Sequence, residues 1–122
     1  MQERYDYKSV WTDNTQSLFL ASGGLLRKLN LATMTYKTIN TGQSYISNYV
    51  RGIKMNDVFV VGQSGEVAHG NGSGWYVFPE LKNLANGDVW WQSIYHKANF
   101  VIVGGGYYTG FNFAPIVARG YR

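Results

Sequence analysis

The sequence predicts an all-β protein, and three features of its composition support that prediction. Aromatic residues make up 16% of the 122 residues, and aromatic side chains favour strands. There are 15 glycines against two prolines, which is typical of short strands joined by tight turns. Charged residues contribute only 15%, fewer than an average soluble domain carries.

An internal repeat predicts the architecture. Three segments align when Phe19, Phe59 and Val101 are superimposed, with spacings of 40 and 42 residues. Each copy has an apolar run, a glycine turn and a second strand-like run, and a further strand-like segment precedes it. Four short antiparallel strands in about 40 residues match the length and strand count of a β-propeller blade.

The repeats predict a single propeller segment with three blades. We place blade one at about residues 7–40, blade two at about 41–81 and blade three at about 82–122. The third unit has no evident fourth strand, and residues 80–84 are the only stretch that favours a helical turn. The predicted fold is therefore three four-stranded antiparallel units, the last of them incomplete.

Blade two shows the predicted hairpins most clearly. We expect strands at 58–61 and 66–69, and a turn at 71–74 that leads to Trp75 at the start of the next strand. The Ser-Gly and Asn-Gly pairs between these runs supply the positive φ angles that tight hairpins require. Asp57 is expected to cap the turn that enters the first of these strands.

The same stretch resembles a known propeller repeat. Residues 56–62 (NDVFVVG), residues 65–72 (GEVAHGNG) and Trp75 are similar to the repeat of bacterial sialidase-like (BNR-type) and photosystem-assembly-factor-like propellers. Residues 115–122 (PIVARGYR) are similar to the final strand of such chains. The resemblance implies a bacterial protein, secreted or periplasmic, of which this chain is the C-terminal part.

The resemblance does not extend to sialidase chemistry. The Asp-box turn of true sialidases, S-x-D-x-G-x-x-W, has no full counterpart, since GNGSGW at residues 70–75 shares only its shape. The arginine triad and the tyrosine nucleophile of a sialidase cannot be placed on this sequence. We therefore predict no catalytic residue.

Three blades cannot close a ring, because propellers close with about four to eight blades. The predicted segment leaves two apolar end faces exposed, and such faces mark association surfaces. We expect either a partial ring completed by the remaining blades of a longer propeller or, if the chain is complete, a ring completed by a homo-oligomer. The first reading is preferred, and in both the chain alone is not expected to be a well-behaved monomer.

Charge and residue usage exclude several classes of protein. The net charge is +4, but the basic residues are scattered and form no stripe that could follow a phosphate backbone, so no nucleic-acid partner is expected. No apolar run approaches the roughly 18 residues of a membrane-spanning helix. The chain has no cysteine, and its two histidines, His69 and His96, lack ligand spacing, so we predict neither a metal site nor a cofactor. His69 fits a structural histidine of the repeat.

The candidate binding residues are aromatic and lie mostly in predicted loops on one rim. Residues 104–112 form an insertion in the repeat, which we expect to be a loop. Aromatic rings on such a loop could stack on a sugar or hold a protein partner, or could instead cover the unfinished edge of the last blade. The predicted ligand-binding residues are Tyr45, Trp91, Tyr107, Tyr108 and Phe111.

Two adjacent tryptophans, Trp90 and Trp91, begin a predicted strand of blade three. Their side chains must point to opposite faces of the sheet, so at least one is expected in the core. Trp11, in the corresponding strand of blade one, is also expected in the core.

Three functions remain open at the level of the sequence. The preferred function is a non-enzymatic propeller that acts as a scaffold or binds a protein partner. The first alternative is a lectin-like propeller that binds a glycan through its rim aromatics. The second alternative is a fragment of a sialidase-type glycoside hydrolase.

Overall fold

The computed structural model describes residues 8–22, 25–44, 47–82, 84 and 89–121. Within these residues the chain forms eleven strands and one short helix, arranged as three antiparallel sheets. The predicted all-β class is confirmed. The single helical turn expected near residue 80 is also present, as α1 Pro79–Lys82.

The strands follow one another in chain order within each sheet. The first sheet contains β1 Ser9–Trp11, β2 Ser17–Ser22, β3 Leu25–Asn30 and β4 Thr35–Ile39. The second contains β5 Ser47–Lys54, β6 Asp57–Gly62, β7 Val67–Gly70 and β8 Trp75–Val77. The third contains β9 Val89–His96, β10 Phe100–Thr109 and β11 Asn112–Tyr121. Each sheet lies inside one of the predicted blade ranges, whose exact limits stay a prediction.

The second sheet lies between the other two, and all six residues of its strand β6 are buried. Val58 and Val60 join an apolar cluster with Phe19 of the first sheet. Phe59 and Val61 join another cluster, which includes residues of β9 and β10 in the third sheet. Because adjacent strand residues point to opposite faces, one strand supplies the core of both interfaces.

Two tryptophans close the interface between the first and second sheets, and each lies over a glycine. A Cβ atom on Gly52 would lie 2.6 Å from the Trp11 ring, and one on Gly70 would lie 2.8 Å from the Trp75 ring. The Trp75 ring also meets the ring of Phe19 edge-on, at 6.2 Å between centroids. Both tryptophans pack against the first apolar cluster, as expected for Trp11.

The turns of the second sheet lie where the Ser-Gly and Asn-Gly pairs of the sequence predicted them. Ser64 and Gly65, between β6 and β7, have φ angles of 56° and 74°. In the next turn the Asn71 side-chain oxygen accepts hydrogen bonds from the backbone N–H groups of Ser73 and Gly74, at 2.9 and 3.0 Å. Both hairpins are therefore fixed by local backbone chemistry.

The expected loop at residues 104–112 is wrong. Strand β10 extends to Thr109 and β11 begins at Asn112, so only Gly110 and Phe111 form a turn. The glycines that suggested a loop are placed where neighbouring groups approach the strand. A Cβ atom on Gly105 would overlap the backbone carbonyl of Trp90.

The alignment of the third repeat is also wrong, by one residue. Val101 pairs with Gly120 and packs on the cluster shared with the second sheet. Phe59 instead faces from the second sheet towards the third. Because a shift of one residue exchanges the two faces of a strand, the counterpart of Phe59 in the third sheet is Ile102, on the opposite face from Val101.

Candidate functional site

The third sheet ends in a long β-hairpin formed by β10 and β11. Its strands pair without interruption from Phe100 with Tyr121 to Thr109 with Asn112. The turn has two residues, and Gly110 at its first position has a φ angle of 62°. Glycine at this position is typical of the tight turns that join two strands directly.

One face of the third sheet is exposed and aromatic. The opposite face packs on the second sheet through Trp91, Val103, Ile116 and Ala118. Because side chains alternate along a strand, their neighbours point away from the second sheet. We call this surface the aromatic face; it consists of the exposed residues Trp90, Tyr95, Tyr108, Phe113, Val117 and Tyr121.

Three rings of the aromatic face contact one another in a row. The rings of Trp90 and Tyr108 meet edge-on with centroids 6.3 Å apart, and those of Tyr108 and Phe113 meet edge-on at 4.9 Å. The Phe113 ring lies directly over the backbone of Gly106, where a Cβ atom would overlap it. The row is therefore held in place by the sheet beneath it.

The structure separates the aromatic residues predicted from the insertion. Tyr108 lies on the aromatic face and is 54% exposed. Phe111 occupies the tip of the hairpin turn, with its side chain fully exposed. Tyr107 points to the other face and packs against the cluster shared with the second sheet. A strand, unlike the expected loop, cannot present Tyr107 and Tyr108 on one side.

The two remaining predicted binding residues are Trp91 and Tyr45. Trp91 is fully buried in the cluster between the second and third sheets, so its ring offers no area on which a ligand could stack. Its indole N–H finds no acceptor among the described residues. Tyr45 lies outside the described residues.

Trp90 and Phe113 complete the row of rings, and the sequence prediction did not include them. The position of Trp90 follows from the alternation already noted for Trp90 and Trp91, but the alternation alone does not say which of the two is buried. Phe113 pairs directly with Tyr108 across the hairpin. A two-residue turn formed by Gly110 and Phe111 places Tyr108 opposite Phe113, so recognition of that turn in the sequence would have predicted the pair.

An apolar groove of about 480 Å³ lies on the other side of the hairpin, between the second and third sheets. Phe59 and Phe78 line its wall on the second sheet, and Val101 and Gly120 line its wall on the third. Arg119 and Glu80 are charged residues at its lining. The groove runs along the end of β11 and is open to solvent on one side.

The described residues contain no group of three His, Asp or Glu side chains that could hold a metal ion. His69 contacts Asp57, with 2.8 Å between Nε2 and Oδ1, which ties β7 to the start of β6. The Phe59 ring lies 4.5 Å from the His69 ring. This arrangement suits the predicted structural role of His69. Within the described part of the chain, no helix is long and apolar enough to span a membrane.

Comparison with known proteins adds a structural likeness. No family model matches the sequence, and no curated protein matches it. Among solved structures, the fold is similar to that of "YCF48 bound to D1 peptide", with a TM-score of 0.68 and 13% sequence identity. The fold is that of β-propeller blades. The likeness covers 91% of this chain and 35% of the YCF48 chain, so this propeller segment spans about a third of that protein's length.

At 13% identity the likeness shows the fold alone. The architecture predicted from the repeat, antiparallel propeller blades with an incomplete third, is confirmed. Of the resemblance noted in the sequence, the propeller fold is supported, whereas a specific relation to BNR-type sialidases is not.

Proposed function

We propose that this propeller segment is non-enzymatic and binds a protein partner. The observation that carries the proposal is the aromatic face of the third sheet. The centres of protein interfaces are enriched in Tyr, Trp, Phe and Arg, and the aromatic face joins such residues in one exposed surface. An apolar surface of this kind on a small protein is a mark of association.

The likeness to YCF48 supports a polypeptide as the partner. That propeller was solved with a D1 peptide bound to it. A related backbone therefore accommodates a peptide, although the low identity transfers no individual residue. The described residues of this chain also bring together no catalytic constellation, which favours a binding function over an enzymatic one.

A second class of occupant competes for the same face. The aromatic face points to where a further blade would stack in a complete ring, so the remaining blades of a longer propeller, or a second copy of this chain, could cover it. None of the six exposed residues that define this surface carries a charge. Either occupant would be a polypeptide.

A glycan is the less favoured ligand. Sugar sites combine an aromatic platform with several convergent polar groups that orient the hydroxyls. The row formed by Trp90, Tyr108 and Phe113 offers the platform, whereas the surrounding exposed residues Val117 and Tyr95 add mainly apolar area. A glycan array, together with a fluorogenic glycoside assay, tests this alternative and the sialidase alternative.

The proposal is tested by selecting protein fragments that bind the chain. A displayed library of genomic fragments from the source organism is selected on the wild-type protein, and the affinity of each selected fragment is measured by calorimetry. We expect Phe113→Ser to weaken binding by at least about tenfold, because removal of a central aromatic anchor typically costs that much. The matched control is Leu31→Ser, which removes an exposed apolar side chain from the turn between β3 and β4.

Equal losses with Phe113→Ser and Leu31→Ser would contradict the assignment to the aromatic face. Binding of a defined glycan, or turnover of a glycoside, without selection of any protein fragment would overturn the proposed function itself.

A further inference from the structure

Within the described residues, the third sheet has three strands, whereas each of the other two sheets has a fourth, outermost strand. In the first and second sheets the outer position is filled by β4 and β8. In the third sheet β11 pairs with β10 on one side, and no described strand pairs with its other side. The outer edge of β11 therefore presents backbone groups without a strand partner in the described chain.

The hairpin register identifies which backbone groups point outward. With a two-residue turn, Thr109 and Asn112 form the first hydrogen-bonded pair, and such pairs alternate along an antiparallel ladder. The N–H and C=O groups of Val117, Arg119 and Tyr121 therefore point away from β10. The second sheet uses the same positions, since the Val67 carbonyl accepts the N–H of Phe78 across the outer edge of β7 at 3.0 Å.

Strands β7 and β11 also correspond in sequence. Residues 67–70 read VAHG and residues 117–120 read VARG. Gly70 pairs with Val58, and Gly120 pairs with the structurally equivalent Val101. The two strands therefore occupy the same place in their sheets, and Gly120 is the counterpart of Gly70.

Gly70 is a position at which an aromatic ring packs directly on the backbone, and we call such a position an aromatic seat. Gly120 is the corresponding position in β11, and no ring of the described residues packs on it. Trp75, on the strand next to β7, lies on Gly70 and reaches Phe19 of the preceding sheet. Among the described residues, only a methyl group of Val101 comes within 4 Å of a Cβ built on Gly120. The groove of about 480 Å³ lies at this position, and Phe59, the counterpart of Phe19, lines it.

We infer that the outer edge of β11 binds an extended segment of the partner polypeptide as a fourth strand. An aromatic side chain of that segment enters the groove and lies on Gly120. This inference rests on the proposed protein-binding function and names the form in which the partner binds. The addition of a strand to a sheet edge gains affinity from the main chain and specificity from side-chain pockets.

The pairing of β7 with β8 predicts the register of the bound segment. Gly70 pairs with Trp75, and His69 pairs with Tyr76. The aromatic residue of the partner therefore lies opposite Gly120, and the residue after it lies opposite Arg119. Since Arg119 points its backbone groups outward, that following residue exchanges both main-chain hydrogen bonds with β11.

A synthetic peptide with the sequence of residues 71–79 is the probe, because it contains the strand that fills this place in the second sheet. Its binding to the purified chain is followed by the fluorescence anisotropy of an N-terminal dye. A version with Trp75→Ala tests the aromatic seat, and a version N-methylated at Tyr76 tests the main-chain hydrogen bond. Each is expected to bind at least about tenfold more weakly than the parent peptide.

A protein variant tests the location of the peptide. Gly120→Val covers the seat with a strand-favouring side chain, and its expected effect is a loss of at least about tenfold in peptide affinity. The control is Val10→Thr, which alters an exposed valine of β1 in the first sheet, away from both the groove and the aromatic face. The two peptide variants act on the wild-type protein, so the test holds even if Gly120→Val does not fold.

Peptide binding that is unchanged by Gly120→Val in a folded protein, or by N-methylation, would overturn the inference. So would a purified chain with twice the monomer mass that binds no peptide, because a second copy would then fill the edge. A selected protein fragment that is weakened by Phe113→Ser but not by Gly120→Val would leave the proposed function standing and remove only this site.

Discussion

The indole ring of Trp75 lies against the backbone of Gly70, so that a Cβ atom on Gly70 would be 2.8 Å from ring atom Cε2. This contact lets a residue of the second sheet's outermost strand reach the core shared with the first sheet. Because the ring leaves no room for a side chain at this position, the last residue of β7 is a glycine.

Gly70→Ala is therefore expected to lower the free energy of unfolding by about 1–3 kcal/mol, because the tightly packed Trp75 ring must move. Urea denaturation followed by tryptophan fluorescence measures the change. Gly74→Ala is the matched control, since a Cβ atom on Gly74 meets nothing within 4 Å. A Gly70→Ala protein as stable as the Gly74→Ala protein would contradict the packing described.

The pair of His69 and Asp57 is expected to stabilise the second sheet. Asp57→Ala and His69→Ala each remove one partner of a part-buried hydrogen bond and should each cost about 1–3 kcal/mol of unfolding free energy. In the double variant the two losses should add incompletely, with a coupling of about 0.5–3 kcal/mol. Strict additivity in the denaturation data would show that the two side chains act independently.

The turn between β3 and β4 contains a residue in an unfavourable backbone conformation. Met34 has a φ angle of 56°, a left-handed conformation that asparagine tolerates far better than methionine. Met34→Asn is expected to raise the free energy of unfolding by about 0.5 kcal/mol, as measured by thermal and urea denaturation. Met34→Ala serves as the control and should give no gain, because alanine keeps the Cβ atom that causes the strain.

The purified chain is expected to associate with itself or to unfold without cooperativity. In the described part of the chain, the first sheet and the third sheet each pack on a single neighbouring sheet, and the aromatic face is exposed. Light scattering should give a mass above that of the 13.8 kDa monomer, rising with concentration. A monodisperse monomer with a sharp unfolding transition would show that three blades are self-sufficient.

The sequence predicted most of the second sheet because its signals are local. Ser64, Gly65 and Asn71 fix two turns by their own backbone preferences, and the apolar run around Phe59 lies between turn signals, which predicts a strand. The sequence of one segment contains all the information needed for such features.

The third sheet was predicted less well, because the glycines of β10 are required by contacts with neighbouring strands and not by a turn. Gly105 and Gly106 make room for the Trp90 carbonyl and the Phe113 ring, which approach from outside the strand. Composition cannot distinguish such glycines from the glycines of a loop. The same limit applies to Trp91, since alternation separates it from Trp90 but does not decide which of the two meets the second sheet.

Pro115 lies in the middle of β11, with its backbone nitrogen on the outward side of that strand. A proline there removes one N–H donor from an otherwise continuous row of exposed main-chain groups. A second copy of the hairpin that approached this edge would find the row of donors interrupted, which disfavours the pairing of copies into amyloid-like ribbons. Pro115 thus opposes fibril formation through the edge of β11. The variant Pro115→Thr is therefore expected to form fibrils more readily than the wild-type protein.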